Sequence, residues 1–209
     1  MSAPGRREEA GPLLFSTAAA AELGDASSLY AGLIGAWEVD VIDYDADGAR
    51  RTSRGEWHFG WALEGRAVQD VFVVPARALR NTPNLPRRGN RYGTTLRFFD
   101  AAKNTWRIIW INPVTGAVNN LVARRDGSAI VQEGVNDEGQ PIRWSFVEIA
   151  RDRFHWVGDV SKDSGATWQT QAEFFARRIS FDPLDEPPQQ RRTPRARGAE
   201  RARSAAQVG

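Results

Sequence analysis

Hydrophobic and polar residues alternate along most of the chain between residues 37 and 179. The clearest case is the segment 55–63, where Trp57, Phe59 and Trp61 alternate with polar or small neighbours. An alternation of period two is typical of a β-strand with one buried face. Because no stretch of this region keeps a 3.6-residue period, the pattern predicts an all-β domain.

Ten strand-like segments follow one another, separated by turns rich in Asp, Asn, Gly and Pro about every 8–12 residues. They span residues 35–44, 55–63, 67–74, 92–99, 105–112, 117–124, 128–133, 141–149, 154–160 and 169–179. Short turns favour a single antiparallel up-and-down barrel, because a Greek-key sandwich needs long connections between its sheets. A barrel of this size leaves room inside for one small ligand.

The two ends of the chain differ in composition from the barrel region. Residues 1–26 are rich in Ala, Gly and Glu and include one helix-compatible patch, residues 13–23, which predicts a partly helical or disordered arm with a short helix. Residues 183–209 are mostly Arg, Pro, Ala and Gln, and this composition predicts a disordered tail because almost no apolar side chain can be buried. The barrel domain is expected to span residues 27–182.

Composition and charge exclude several classes of function. The chain has 209 residues, a net charge of +2 and no cysteine, so disulfides and thiolate metal sites are excluded. The small net charge gives no reason to expect a nucleic-acid or membrane partner, and we expect the arginines of the tail to be solvated. The apolar stretch at residues 12–21 is too short and too interrupted for a secretory signal, which favours a cytoplasmic location.

The opening of the first strand resembles that of lipocalin and calycin barrels. Gly35, Ala36 and Trp37 enter a strand in which Trp37, Val39 and Val41 share one face. The resemblance implies a calycin-like barrel in which a basic residue of the last strand stacks on Trp37 as a cation–π contact. The candidates for that residue are Arg177 and Arg178.

A group of uncharacterised bacterial calycin-like domains is similar to a larger part of the chain. The shared residues are Arg97-Phe98-Phe99-Asp100, Trp106, Trp110-Ile111-Asn112-Pro113, Ile142-Arg143-Trp144, the segment 161–168 and Arg177-Arg178. This resemblance implies the fold and leaves the function open.

Residues 161–168 match the Asp-box pattern S-x-D-x-G-x-T-W of sialidase propellers. Ser161, Asp163, Gly165, Thr167 and Trp168 occupy its specified positions. The resemblance implies a hairpin in which the Asp side chain bonds turn amides and the Trp anchors the next strand. Since the chain has one copy of a motif that is structural in its home family, we expect a hairpin staple and no glycan-processing activity.

The candidate catalytic residues are His58, Asp70 and Glu173. If they meet in the lumen, they could act as general acid and base in a cofactor-independent lyase, isomerase or cyclase. The two histidines and the glycine distribution do not provide a Ser-His-Asp order, a two-histidine metal set or a phosphate-binding loop. Haem binding through His155, as in barrels resembling nitrobindin, is a further alternative, but the strand after Trp37 lacks the Gly-rich opening of that family, so we expect no cofactor.

The candidate ligand-binding residues fall into two groups. Four aromatic residues are predicted to form the walls of the lumen: Trp57, Trp61, Trp110 and Trp144. Four polar residues inside apolar strands are predicted to contact the ligand: Arg97, Asn112, Asn120 and Arg143. Pairing of Asp70 or Glu173 with Arg97 or Arg143 would give a polar floor, because buried charges have to be paired.

The long connection, residues 76–91, carries five arginines followed by a tyrosine: Arg77, Arg80, Arg87, Arg88, Arg91 and Tyr92. It could form a lid that selects carboxylated or phosphorylated ligands, or a solvated or homodimer-contact loop.

The candidate residues and the predicted barrel together favour binding of a small apolar or aromatic molecule with one anionic or hydrogen-bonding end, without turnover.

Overall fold

A computed structural model describes residues 14–79 and 91–179, which form a closed barrel of ten antiparallel strands. The strands are β1 Gly35–Tyr44, β2 Arg50–Ala62, β3 Ala67–Val74, β4 Arg91–Asp100, β5 Thr105–Asn112, β6 Ala117–Asp126, β7 Ala129–Val135, β8 Pro141–Val147, β9 Arg153–Val160 and β10 Gln169–Arg178. Each strand pairs with its neighbours in sequence, and β1 pairs with β10 to close the sheet. The predicted up-and-down barrel is confirmed.

The core follows the alternation in the sequence. In β2, Trp57, Phe59 and Trp61 are buried, whereas His58 and Gly60 between them are only partly covered. The main difference from the sequence prediction is that β2 begins at Arg50, before residue 55. Its first residues are exposed and pair with the end of β1, so they give no alternation signal that sequence reasoning could detect.

One end of the barrel is closed by the N-terminal segment. A 3₁₀-helical segment, Ala21–Ser27, leads into a one-turn helix, α1 (Ser28–Ala31), so the helical structure overlaps only the end of the predicted patch at residues 13–23. Tyr30 and Leu33 from this segment are fully buried against the barrel core. The indole Nε1 of Trp106 also donates a hydrogen bond to the Ala26 carbonyl, at 3.3 Å.

Trp37 lies at this closed end, as expected. The guanidinium carbon of Arg178 lies 4.0 Å from the centre of the Trp37 ring. The guanidinium also donates to the carbonyls of Gly32 and Ile34, at 2.8 and 2.7 Å. Arg178 therefore makes the predicted cation–π contact, while Arg177 points outward and pairs with Asp40 at 3.0 Å.

The opposite end of the barrel carries the start of β4 and the ends of β1 and β7. Arg80, Arg87 and Arg88 of the predicted arginine loop lie outside the described residues, as does the predicted tail. Arg77 lies on the outer wall, and Arg91 lies inside the mouth of the lumen. No helix within the described ranges, 14–79 and 91–179, is long and apolar enough to span a bilayer.

Candidate ligand-binding site

The lumen contains a cavity of about 360 Å³ between the closed end and the mouth. All ten strands contribute residues to the lining of the cavity, which includes both aromatic and polar side chains. Since pockets for drug-sized molecules measure about 300–1,000 Å³, this cavity has the volume of a small-molecule site.

One wall of the cavity is a stack of aromatic rings. The ring centroids of Trp156 and Phe174 are 4.3 Å apart and nearly parallel, and those of Phe72 and Phe174 are 4.8 Å apart. Trp110 and Trp144 meet edge to face across 5.7 Å. This arrangement presents flat apolar faces against which a planar ring system could pack.

The structure places three of the four predicted wall residues in the cavity. Trp57, Trp110 and Trp144 line it, whereas Trp61 is buried nearer the closed end, where its carbonyl accepts a hydrogen bond from Ser16. Sequence reasoning missed Phe72, Trp156 and Phe174. Trp156 and Phe174 alternate with more exposed neighbours, and this signal could have identified them. Phe72 lies next to the buried Val73, so alternation gives no signal for it.

The base of the cavity holds a buried ion pair between Arg97 and Asp70. Both side chains are only 1% exposed, and the Arg97 guanidinium donates directly to the Asp70 carboxylate. Its Nε also lies 3.3 Å from Oε1 of Gln132, which accepts a second hydrogen bond from the Tyr30 hydroxyl at 3.2 Å. Asp70 and Arg97 are thus one of the pairings that the sequence suggested, and Gln132 is a member that it missed.

Arg143 and Glu173, the other suggested partners, face outward. Arg143 lies 4.2 Å from the centre of the Trp168 ring and 3.4 Å from Asp159. Glu173 accepts a hydrogen bond from Tyr44 on the outer wall. The structure therefore corrects both assignments: in β8 and β10 the large apolar neighbours occupy the lumen, and the alternation of the strands directs these two charges outward.

The histidines are also on the outer wall. Nε2 of His58 lies 3.0 Å from Oε2 of Glu56. The same carboxylate accepts two hydrogen bonds from Arg77, one from its backbone N–H and one from its Nε. Burial alone would raise the pKa of Glu56, but the hydrogen bonds from Arg77 and His58 outweigh it and lower the pKa to about 2. His58 therefore belongs to an ion-pair cluster that anchors the segment after β3, and it does not meet Asp70 in the lumen.

His155 stacks on Phe175, with ring centroids 4.3 Å apart, on the outer face of β9 and β10. Its position does not fit the role of axial ligand to a haem inside the lumen. Since His58 is outside as well, neither of the two histidines of the chain faces the cavity.

The two predicted asparagines, Asn112 at the end of β5 and Asn120 in β6, face opposite sides of the barrel wall. Asn112 lines the cavity, and its Oδ1 accepts a hydrogen bond from the backbone N–H of Val114 at 3.0 Å. Asn120 is exposed on the outer wall, and its neighbour Asn119 lines the cavity instead. The assignment of Asn120 is thus corrected by one position, because adjacent residues of a strand face opposite sides.

A second ion pair lies at the mouth. Arg91 donates to both carboxylate oxygens of Asp43, at 2.9 and 3.0 Å. The guanidinium of Arg91 also lies over the rings of Phe72 and Phe174, at 5.7 and 5.8 Å. Asp43 was missed by sequence reasoning, although it continues the inward face of Trp37 in β1.

Two buried donors that line the cavity have no acceptor among the residues that the structure describes. They are Nε1 of Trp57, a side chain that is 5% exposed, and Nε2 of Gln132, which is fully buried. Buried polar groups are nearly always hydrogen-bonded, because an unpaired one loses its interactions with water. These donors are therefore positions where a ligand acceptor would be stabilised.

The segment 161–168 forms a tightly bonded hairpin at the mouth end of β9 and β10. The Asp163 carboxylate accepts hydrogen bonds from the Thr167 backbone N–H and hydroxyl, at 2.7 and 2.6 Å, and from Ser161 at 2.8 Å. The hydrogen bonds from Thr167 are the main cause that lowers the pKa of Asp163 to about 2. These contacts are local to the hairpin, and none reaches the cavity.

Comparison with known proteins supplies information on fold only. No protein-family model matches the chain, and no curated protein is significantly similar to it. Among solved structures, Rv2717c from M. tuberculosis is similar with a TM-score of 0.53 and 12% identity, over 75% of this chain and 99% of that one. The S-type phycobiliprotein lyase CPES from Guillardia theta is similar with a TM-score of 0.50 and 6% identity, over 74% and 93%. Together with the closed ten-stranded topology, these likenesses show that the chain has a calycin-like barrel fold.

Proposed function

We propose that this protein binds a small, mostly aromatic molecule in the barrel lumen, with one anionic or hydrogen-bonding end directed at the polar base. The observation that carries this proposal is the cavity of about 360 Å³, in which stacked rings form a wall and unpaired donors lie deep inside. Pockets that combine apolar walls with a few fixed polar groups are typical of small-molecule sites.

The aromatic wall supports a planar ligand in preference to a flexible aliphatic one. The rings of Phe72, Phe174 and Trp156 are stacked face to face, which leaves their edges and the outer faces of the two end rings for contact with a planar ligand. Offset stacking of a ligand ring on such a surface adds about 0.5–1.5 kcal/mol to the gain from burial alone. A saturated chain of the same area would lack that contribution.

Binding without turnover is the form of the proposal that the geometry supports. Of the three candidate acid–base residues, only Asp70 faces the lumen, and its carboxylate is engaged by Arg97. His58 and Glu173 lie on the outer wall. General acid–base catalysis needs a group within hydrogen-bond reach of the reacting proton, so the geometry of the described residues favours binding over the lyase, isomerase or cyclase alternative.

The test is a titration of tryptophan fluorescence with naphthalene, anthracene and flavone derivatives that carry carboxylate, hydroxyl or ketone groups. We expect saturable quenching by at least one of them, because the cavity is lined by four indoles, those of Trp57, Trp110, Trp144 and Trp156. The variant Ala172→Phe, which places a ring in the cavity, should abolish the quenching. Its matched control is Val118→Phe, which adds the same ring on the exposed outer wall.

Two results would contradict the proposal. One is the absence of saturable quenching across the whole panel. The other is quenching that survives unchanged in Ala172→Phe, which would place the binding site outside the lumen.

A further inference from the structure

The two unpaired donors at the base of the lumen are neutral. An indole N–H can only donate, and the amide nitrogen of a glutamine side chain can only donate as well. Both Trp57 and Gln132 line the same cavity, and neither donor has an acceptor within the described part of the chain. The base of the lumen therefore presents N–H groups without charge.

The orientation of Gln132 is fixed by its neighbours. A guanidinium cannot accept a hydrogen bond, so the amide oxygen has to face Nε of Arg97, 3.3 Å away. The Tyr30 hydroxyl donates to the same oxygen, and burial raises the pKa of Tyr30, which keeps its proton in place. Asp70 in turn holds Arg97. This chain of contacts leaves the amide nitrogen of Gln132 directed away from Arg97, and it has no acceptor among the described residues.

The charged residues of the lining are already matched. Arg91 is bound by Asp43 through two hydrogen bonds, and Arg97 is bound by Asp70. These two pairs contain every charged side chain that lines the described cavity, so its lining has no net charge. An anionic ligand would have to displace a carboxylate or remain uncompensated, and an uncompensated buried charge is strongly unfavourable. A neutral acceptor needs only the N–H donors.

We propose that the lumen selects a neutral aromatic carbonyl compound, such as an aryl ketone or quinone, over an aromatic carboxylate. The carbonyl oxygen accepts from the donors of Gln132 and Trp57, and the rings pack against the stack of Phe72, Phe174 and Trp156. Arg97 and Asp70 are positioning residues that orient Gln132. This inference rests on the proposed function and specifies the chemical class of its ligand.

The experiment is isothermal titration calorimetry of the full chain with three compounds of matched shape: 2-acetylnaphthalene, 2-ethylnaphthalene and 2-naphthoate. The first has a neutral carbonyl, the second has no acceptor, and the third is an anion. We expect the ketone to bind about tenfold more tightly than each of the other two, which corresponds to one hydrogen bond to an otherwise unpaired donor.

Substitution of the donors separates this explanation from a general effect of ring packing. Gln132→Glu keeps an oxygen towards Arg97 and replaces the amide donor by a second oxygen, so the advantage of the ketone over the hydrocarbon should fall to within about threefold. The affinity for 2-ethylnaphthalene should change less than about twofold. The matched control is Asn120→Asp, the same change of amide to carboxylate on the exposed outer wall, which should leave all three affinities unchanged.

A second variant is needed in case Gln132→Glu does not fold. Trp57→Phe removes the indole donor and keeps a ring, and it should also reduce the preference for the ketone. The inference is overturned if 2-naphthoate binds most tightly, or if ketone and hydrocarbon bind equally to the unmodified protein. Absence of binding by all three compounds would instead overturn the proposed function, and the inference with it.

Discussion

Arg97 illustrates how single residues in this barrel combine structural and functional roles. Its guanidinium is buried, contacts Asp70 and Gln132, and lies within 5.2 Å of the centre of the Tyr30 ring. The desolvation of such a pair costs several kcal/mol, and the pair is tolerated only because both charges are hydrogen-bonded. Apolar side chains could fill the same space without this cost. We therefore interpret the ion pair of Arg97 and Asp70 as the contact that positions the polar base of the cavity.

The first prediction concerns this pair. Asp70→Leu should lower the free energy of unfolding by about 3–5 kcal/mol, because it leaves Arg97 buried without a counter-charge. The double variant Asp70→Leu with Arg97→Met should be less destabilised than Asp70→Leu alone. Urea denaturation of both variants measures these differences, with Asp45→Asn, at an exposed pair with Arg51, as the control. A double variant that is less stable than Asp70→Leu alone would show that the two charges do not depend on each other.

The second prediction concerns Trp37 at the closed end. Trp37→Ala should cost about 3–5 kcal/mol of unfolding free energy, since it removes a fully buried ring. Arg178→Met should also destabilise the protein, because the carbonyls of Gly32 and Ile34 lose their donor. Arg177→Met is the matched control, since that side chain is exposed and pairs with Asp40 on the outer wall. Equal effects of the two arginine substitutions would contradict the role assigned to Arg178.

At the scale of residues, the sequence predicted which residue types form the site better than it predicted which side of the barrel wall each of them faces. Trp57, Trp110, Trp144, Asp70 and Arg97 could be proposed because polar or large aromatic residues stand out within strands. The directions of Arg143, Asn120 and Glu173 depend on which face of each strand is inside. That choice is set by the register of all ten strands together, so local sequence does not determine it.

At the scale of elements, the strands were predictable where one face is buried and the other is not. The first residues of β2, from Arg50 to Arg54, are mostly exposed and were missed for that reason. The 3₁₀ segment Ala21–Ser27 has no buried residue and no amphipathic period, so its position depends on the barrel end that it covers. Tertiary contacts, rather than local propensity, decide both elements.

The third prediction concerns the segment that follows β3, which is tied to β2 through Arg77 and Glu56. The folded-state pKa of Glu56 is about 2, below its ordinary value of 4.5. Its ion pair therefore contributes stability that is fully present above pH 4.5 and is lost as the pH falls through about 2. Glu56→Gln should accordingly be less stable than the unmodified protein at pH 6, and the difference should shrink between pH 4.5 and 2.

Urea denaturation across this pH range measures the effect. The control is Glu64→Gln, at an exposed pair with Arg66, for which the difference at pH 6 should stay below about 1 kcal/mol. A Glu56→Gln difference that does not vary with pH would contradict the assigned ion pair.

At the scale of the whole molecule, the N-terminal segment closes one end of the described barrel, and the mouth of the cavity lies at the other end. Trp37, Arg178 and helix α1 cover one end, while the pair of Asp43 and Arg91 lies at the mouth. The tight turns and the opening of β1 were enough to predict this closed calycin-like topology. The chemistry of the lumen was not predictable to the same degree, because the unpaired donors emerge only when side chains from distant strands meet.

The most direct test of the central claim is a ¹H–¹⁵N NMR titration of the eight tryptophan indoles with 2-acetylnaphthalene. If the lumen is the binding site, the Nε1–H signals of the indoles that line it, Trp57, Trp110, Trp144 and Trp156, should shift on binding. The signals of Trp37 and Trp106, whose indoles donate to backbone carbonyls at the closed end, should remain in place. Single Trp→Phe variants assign the signals. Shifts confined to the outer Trp168, or no saturable shift in any lumen indole, would contradict the account.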